Sequence, residues 1–181
     1  MKKVYILLSR TPSVPSKLIR LFSRKKYTHS SIAIEPATDK FCSYGRRRLN
    51  NVFIGGLVRE DTRGGLFKRF PDSPCELFVL EVSDESYEKI KGLIEFHFEN
   101  YDKCKYKFSA LLFMPLRAKK KLGLKLVCSQ FVAKLLYESG ACELPRHPAL
   151  MQPVDFISVA NVRSIYAGEI KNLSFENEAK E

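Results

Sequence analysis

One cysteine in this sequence stands where a protein would activate a nucleophile. In residues 126–140 the apolar side chains recur at the three- and four-residue spacing of a core-facing helix. Gly140 is the expected helix stop, because glycine adopts the left-handed cap conformation without penalty. Cys128 then lies at the helix start, where unpaired backbone N–H groups stabilise a thiolate over a thiol. The alternative is a small buried residue that packs the helix start, since most cysteines are inert.

A cysteine nucleophile needs a neighbouring base, and three histidines could supply one. His97 falls on the half-buried face of a predicted amphipathic helix, which is typical of a packing residue, and His147 lies in a proline-flanked loop. His29 lies at the beginning of a predicted strand, immediately before small residues. A base at a strand edge can face a nucleophile at a helix start. The sequence therefore favours Cys128 and His29 as a pair.

The elements that must position this pair predict one α+β domain over residues 1–171, followed by a polar tail over residues 172–181. A chain of 181 residues can bury one core but would be cramped with two. Apolar, β-prone runs predict five strands. They cover residues 4–8, 29–35, 41–45, 76–82 and 162–170. Helices are predicted after residue 13 or 16, after Ser83, over residues 106–116 and from Cys128, with a short helical turn over residues 154–159.

Residues 46–65 contain two glycine pairs and predict a long irregular loop. A loop of that length in a compact domain is a candidate cover for a site.

Charge and cysteine usage narrow the function classes. The formal net charge is +11, which favours an acidic partner or substrate. The five cysteines are irregularly spaced and form no zinc-type pattern, so we expect reduced thiols, no metal and no cofactor. The amino-terminal apolar run is too short for a secretory signal, and no run reaches the ~20 residues of a membrane-spanning helix. These features predict a cytoplasmic protein.

The segment around Thr28, His29 and Ser30, followed much later by the segment around Cys128, Ser129 and Gln130, resembles the circularly permuted branch of the NlpC-like papain fold. YiiX-type and lecithin retinol acyltransferase-type proteins belong to that branch. Its members carry the histidine before the cysteine, the reverse of ordinary papain-like enzymes. The resemblance implies an antiparallel sheet or small barrel packed against the cysteine helix. It also implies cysteine-dependent attack on an amide, ester or thioester, with hydrolysis or acyl transfer through an acyl-enzyme.

The third residue, which would orient the imidazole, is less well defined by the sequence. Family members place it on the strand next to the histidine strand, and reflecting His29 through the turn at Thr38 points to the region from Gly45 to Arg47. Ser43 is the nearest polar side chain of matching parity. Glu60 from the loop, or a backbone carbonyl, is the alternative. The oxyanion would be held by the Cys128 backbone N–H, with Tyr106 and Ser129 as candidates for the oxyanion site or substrate pocket.

The basic segments 46–48 and 117–125 have two interpretations. They are solvated loops, or they flank the site and attract an anionic amide, ester or lipid-containing molecule or peptide. The charge is also compatible with peripheral membrane contact. No nucleic acid is expected, because aromatic residues are not interleaved with the basic runs. The alternative to an enzyme is a papain-fold module that binds a lipid or peptide without turnover.

Overall fold

The computed structural model describes residues 1–12, 26–37, 39–48, 51–107 and 121–175. Four predicted features lie wholly or partly outside the described residues. They are the helix after residue 13 or 16, residues 108–116 of the helix predicted over 106–116, residues 117–120 of the basic segment 117–125, and the tail beyond residue 175. Among the described helices, none is long and apolar enough to cross a membrane.

Within the described residues, eight strands form one mixed sheet in the order β7-β6-β4-β3-β2-β1-β5-β8. Neighbouring strands are antiparallel except β6 and β7. The strands are β1 Lys2–Ser9, β2 His29–Ala33, β3 Phe41–Arg48, β4 Asn51–Glu60, β5 Pro74–Val82, β6 Lys105–Tyr106, β7 Lys125–Leu126 and β8 Val162–Glu169. The helices are α1 Gly65–Arg69, α2 Asp84–Glu99 and α3 Cys128–Ser139, and short 3₁₀ turns cover Tyr101–Lys103, Pro148–Leu150, Pro153–Ser158 and Ile170–Asn172. The architecture is α+β, as predicted.

The sheet is covered on both faces, which explains why β1 is apolar without alternation. Val4, Ile6 and Leu8 join the core that contains helix α3. Tyr5 and Leu7 point the other way, into a second core. Because successive side chains of a strand point to opposite faces, a strand buried on both faces needs an unbroken apolar run.

Helix α3 forms where the sequence predicted it. It begins at Cys128 and is followed by Gly140 with φ 70° in the left-handed region. The side chain of Gln130 accepts a hydrogen bond from the Val127 backbone N–H at 3.3 Å, which satisfies one group at the helix start. Phe131 and Leu135 are fully buried against the sheet, so the helix start is held in a fixed place.

The prediction of an irregular loop over residues 46–65 was wrong. Residues 51–60 form β4, which pairs with β3 along nearly its whole length. The glycine pair marks a close backbone approach instead: a Cβ at Gly56 would lie 2.1 Å from the Cys104 carbonyl oxygen. Only glycine lets the adjoining chain approach so closely at this point.

The first residues of the predicted tail pack against the sheet. Leu173 is 1% exposed and Phe175 is 8% exposed, and both belong to the second core. The Phe175 ring lies 5.9 Å from the ring of Phe41. These two apolar residues therefore extend the buried face of the domain beyond residue 171.

Candidate functional site

The structure brings the predicted cysteine and histidine together. Cys128 is the first residue of α3, and His29 is the first residue of β2. The two side chains interact, since His29 and Cys128 each shift the pKa of the other. Residues about one hundred positions apart in sequence meet because α3 packs against β2 and β3. The pairing of a strand-edge base with a helix-start thiol, expected from the sequence, is therefore present in the fold.

A carboxylate completes a chain of three polar side chains. The His29 Nε2 lies 2.7 Å from the Glu60 Oε1, and both side chains are mostly buried. Glu60 is the last residue of β4, two strands away from β2. Since Nε2 faces Glu60, Nδ1 is the ring nitrogen left for the Cys128 thiol. The order thiol, imidazole and carboxylate is the one that fixes a histidine tautomer and stabilises an imidazolium.

Gly45 makes the contact between His29 and Glu60 across the intervening strand β3 possible. The β2–β3 register pairs Ile32 with Cys42, and counting outward from that pair sets His29 opposite Gly45. A Cβ at Gly45 would lie 3.4 Å from the Glu60 Oε1 and 3.9 Å from the His29 Cε1. The strand between the acid and the base therefore presents no side chain where the two groups meet.

The electrostatics of the pair favour the charged forms of both groups. Burial alone would lower the pKa of His29, but the charge of Glu60 and the hydrogen bonds to Cys128 and Glu60 raise that pKa well above its ordinary value. Burial alone would raise the pKa of Cys128. The interaction with His29 and the positive charge of His29 lower this pKa, and so do hydrogen bonds from the Ser30 and Ser129 backbone. Each group therefore stabilises the charged form of the other, as in an activated cysteine.

The other four cysteines have the opposite tendency. Burial raises the pKa of Cys42 and of Cys75 to about 12 and that of Cys142 to about 11. Burial also raises the pKa of Cys104. Among the described thiols, Cys128 alone is shifted toward the thiolate.

A cavity of about 520 Å³ opens beside this chain of side chains. His29, Gly45, Glu60, Arg46 and Tyr106 are among its lining residues, whereas Cys128 is not. Cys128 is 3% exposed, so the cavity reaches the pair at the imidazole.

The three tentative site residues have the following places. The Ser43 hydroxyl donates to the Ser30 carbonyl oxygen at 2.6 Å, while the carboxylate of Glu60 occupies the Nε2 side of His29. The Ser129 hydroxyl donates to the Met151 carbonyl oxygen at 2.7 Å and so ties the helix start to the loop that precedes residue 152. Tyr106 lines the cavity and pairs with Leu126 in the sheet, two residues before the cysteine.

The remaining histidines serve local structure. His97 is fully buried and its Nδ1 donates to the Leu93 carbonyl oxygen at 2.7 Å. His147 accepts a hydrogen bond from the Ala149 backbone N–H at 3.2 Å and caps a 3₁₀ turn. Both roles agree with the packing and loop interpretations made from the sequence.

These observations define an α+β protein in which a buried thiol at a helix start meets a mostly buried imidazole and carboxylate from the interior strands β2 and β4 of a mixed sheet. A solved structure shares the fold: the metalloprotein yiiX (DUF1105) from Escherichia coli O157:H7, with a TM-score of 0.55 and 14% sequence identity, over 93% of this chain and 98% of that chain. At this identity the likeness is one of fold, and it supports the predicted YiiX-type relation at that level. No protein-family model and no curated protein matches the chain.

Proposed function

We propose that this protein is a cysteine-dependent hydrolase or acyltransferase of the permuted papain-like, NlpC-related type. One observation carries the proposal: His29 is hydrogen-bonded to Glu60 and interacts with Cys128, and the pKa of the thiol is lowered while that of the imidazole is raised. Buried ion pairs contribute little to stability. A structural role alone therefore does not explain why these three side chains are placed together.

In the first half of the reaction, the Cys128 thiolate attacks the carbonyl carbon of an amide, ester or thioester. The carbonyl electrons move to oxygen, and the backbone N–H of Cys128 at the start of α3 donates a hydrogen bond to the resulting oxyanion. The oxyanion collapses, the bond to the leaving group breaks, and His29 gives its Nδ1 proton to that group. A thioester between Cys128 and the acyl group remains.

In the second half, neutral His29 removes a proton from water or from an acceptor amine or alcohol. The nucleophile adds to the thioester carbonyl, and collapse of the second oxyanion expels the Cys128 thiolate while His29 stays protonated. Glu60 accepts the hydrogen bond from Nε2–H in both halves of the reaction and stabilises the imidazolium. Water as acceptor makes the protein a hydrolase, and an amine or alcohol makes it an acyltransferase.

The structural relative is a metalloprotein, which raises the question whether this site could hold a metal. Among the described residues, no group of three or more histidine, cysteine or acidic side chains is arranged to hold a metal ion. The donors at the site are directed at one another, because His29 uses one nitrogen for Glu60 and the other for Cys128. A metal does not fit this arrangement, and the mechanism uses none.

Thiol alkylation tests the proposal. At pH 7, we expect iodoacetamide to modify Cys128 at least about tenfold faster than Cys142, because alkylation requires the thiolate. His29→Ala should slow the modification of Cys128, whereas His147→Ala, which changes another half-buried histidine, should leave it unchanged. EDTA should have no effect. Equal rates at all five thiols, measured by peptide mass spectrometry, would remove the enzyme proposal.

One observation favours the second candidate, a papain-fold module that binds a lipid or peptide without turnover. Cys128 is 3% exposed and does not line the cavity, so a ligand could occupy the cavity without meeting sulfur. Incubation with p-nitrophenyl acetate separates the two functions. An acetyl adduct on Cys128 that decays in water supports the enzyme, and an unmodified but rapidly alkylated Cys128 supports the binding module.

A further inference from the structure

The cavity beside His29 contains an arginine whose charge is not matched. Arg46 follows Gly45 on β3 and lines the cavity together with His29 and Glu60. Its Nη2 atom is buried and has no hydrogen-bond partner among the described residues. A buried donor of a charged group without a partner is costly, so such a group in a cavity points to a ligand that satisfies it.

The other two arginines of the cavity are already engaged. Arg47 donates to the Tyr101 and Cys104 carbonyl oxygens, the latter at 2.9 Å, and lies over the Tyr101 ring. The guanidinium carbon of Arg59 lies 4.3 Å from the centre of the Phe98 ring. Arg46 is therefore the arginine of this cavity with a buried donor that lacks a partner among the described residues.

The acids of the cavity do not neutralise Arg46. The Glu60 Oε1 is hydrogen-bonded to His29, and its buried Oε2 has no hydrogen-bond partner among the described residues. The Asp61 carboxylate accepts the Arg63 backbone N–H at 2.8 Å, and neither acid forms an ion pair with Arg46. Burial and the like charge of Arg69 lower the pKa of Arg46, which means that this guanidinium faces another cation. An anion placed there would relieve both the desolvation and the repulsion.

We propose that Arg46 binds an anionic group of the substrate, a phosphate or carboxylate, and so makes this site selective for anionic acyl compounds. The inference rests on the proposed function for the reacting bond, but the anion site itself depends on Arg46 and the cavity alone. A guanidinium can hold either oxyanion through two parallel N–H···O bonds, which fixes the orientation of the ligand as well as its charge. Arg46 and His29 line the same cavity, so an anion held by Arg46 places the rest of the substrate in the space that the imidazole borders.

Two alkylating agents that differ in charge provide the test. Iodoacetate is anionic, iodoacetamide is neutral, and both react with the same thiolate. In the Arg46→Gln variant, we expect the ratio of the Cys128 rate with iodoacetate to the rate with iodoacetamide to fall by about three- to tenfold, as loss of a partly screened charge interaction predicts. Arg48→Gln, which removes an exposed cation from the same strand, should change the ratio by less than about twofold.

A binding measurement keeps the inference testable if Cys128 does not react selectively. Inorganic phosphate should raise the melting temperature of the wild-type protein and of Cys128→Ala, but not that of Arg46→Gln. An unchanged rate ratio together with an equal phosphate effect in Arg46→Gln would overturn the anion site while leaving the enzyme proposal intact. Slow alkylation of Cys128 together with an Arg46-dependent phosphate effect would overturn the enzyme proposal while leaving the anion site intact.

The anion could belong to a free molecule or to a lipid headgroup. Sedimentation with phosphatidylcholine vesicles, with and without phosphatidylglycerol, distinguishes these sources. If the protein sediments only with vesicles that contain phosphatidylglycerol, and Arg46→Gln abolishes this binding, the anion is a lipid headgroup. Equal sedimentation of wild type and Arg46→Gln, with the phosphate effect retained, identifies a free anion. Absence of both effects overturns the inference.

Discussion

Replacing Glu60 by glutamine tests whether the carboxylate sets the charge state of the site. The substitution keeps the size and one hydrogen-bonding oxygen, but it removes the negative charge 2.7 Å from the His29 Nε2. The Glu60 side chain is 14% exposed and that of His29 is 23% exposed, so solvent screens the interaction only in part.

The size of the effect follows from the strength of a buried charge pair. Two unit charges about 4 Å apart at an effective dielectric constant near 20 attract by about 4 kcal/mol. Glutamine retains part of this through a neutral hydrogen bond, so we expect a loss of about 1.5–3 kcal/mol, the usual worth of a hydrogen bond to a charged group. At 1.36 kcal/mol per pKa unit, the pKa of His29 falls by about one to two units.

The sign of the change in reactivity follows from the coupling between the two groups. Glu60 raises the pKa of His29, and protonated His29 lowers the pKa of Cys128. Without the carboxylate, the imidazolium is less stable and gives less support to the thiolate. The pH at which alkylation of Cys128 reaches half of its plateau should therefore rise by about one to two units, and the rate at pH 7 should fall by up to about 10- to 100-fold.

The assay is the rate of iodoacetamide modification of Cys128 between pH 5 and pH 10. Glu76→Gln is the matched control, because the Glu76 side chain is also 14% exposed and also accepts hydrogen bonds, from Tyr27 at 2.7 Å and Lys26 at 3.2 Å. The control should be destabilised without a shift in the profile of Cys128. A profile for Glu60→Gln that coincides with wild type would refute the role given to the carboxylate.

Two further substitutions test the geometry around His29. In Gly45→Val, the added Cβ lies 3.4 Å from the Glu60 Oε1 and 3.3 Å from a Val58 methyl carbon. The valine should therefore separate Glu60 from His29 and slow the alkylation of Cys128 by roughly tenfold. Gly45→Ala adds less volume and should have a smaller effect. In Ser43→Ala, the hydrogen bond to the Ser30 carbonyl is lost, and urea unfolding should report about 1–2 kcal/mol of destabilisation. Ser43→Ala with the alkylation rate of Glu60→Gln would instead assign the orienting role to Ser43.

The elements with strong local patterns could be predicted from the sequence. Helix α2 begins after Ser83, whose side chain accepts from the Ser86 backbone N–H, and helix α3 stops at Gly140. Strand β5 was predicted from residue 76 and begins at Pro74. In each of these segments, the cap or the apolar run lies within the element itself, so local physics decides the structure.

Strand β4 could not be predicted in this way. Its glycine pair is typical of a loop when only neighbouring residues are considered. The pair is needed for a contact with Cys104, which is distant in sequence, and pairing with β3 supplies the strand conformation. Tertiary packing overrides the local preference at this position.

The same strand explains why the third site residue was hard to identify. Reflecting His29 through the turn between β2 and β3 predicts a partner near Gly45 to Arg47, and Ser43 is the nearest polar side chain on β3 with the right parity. A glycine opposite a candidate base leaves space on the middle strand. A long side chain from the strand on its far side can cross that space and reach the base. Glu60 does so at the end of β4.

The pairing of β3 with β4 decides which side chains share a face of the sheet. Ser43, Gly45, Val58 and Glu60 have the same parity in this pairing, which places the Glu60 carboxylate on the same face as the His29 imidazole. The identity of the orienting residue is therefore a consequence of strand pairing, which a reading of local sequence patterns does not contain.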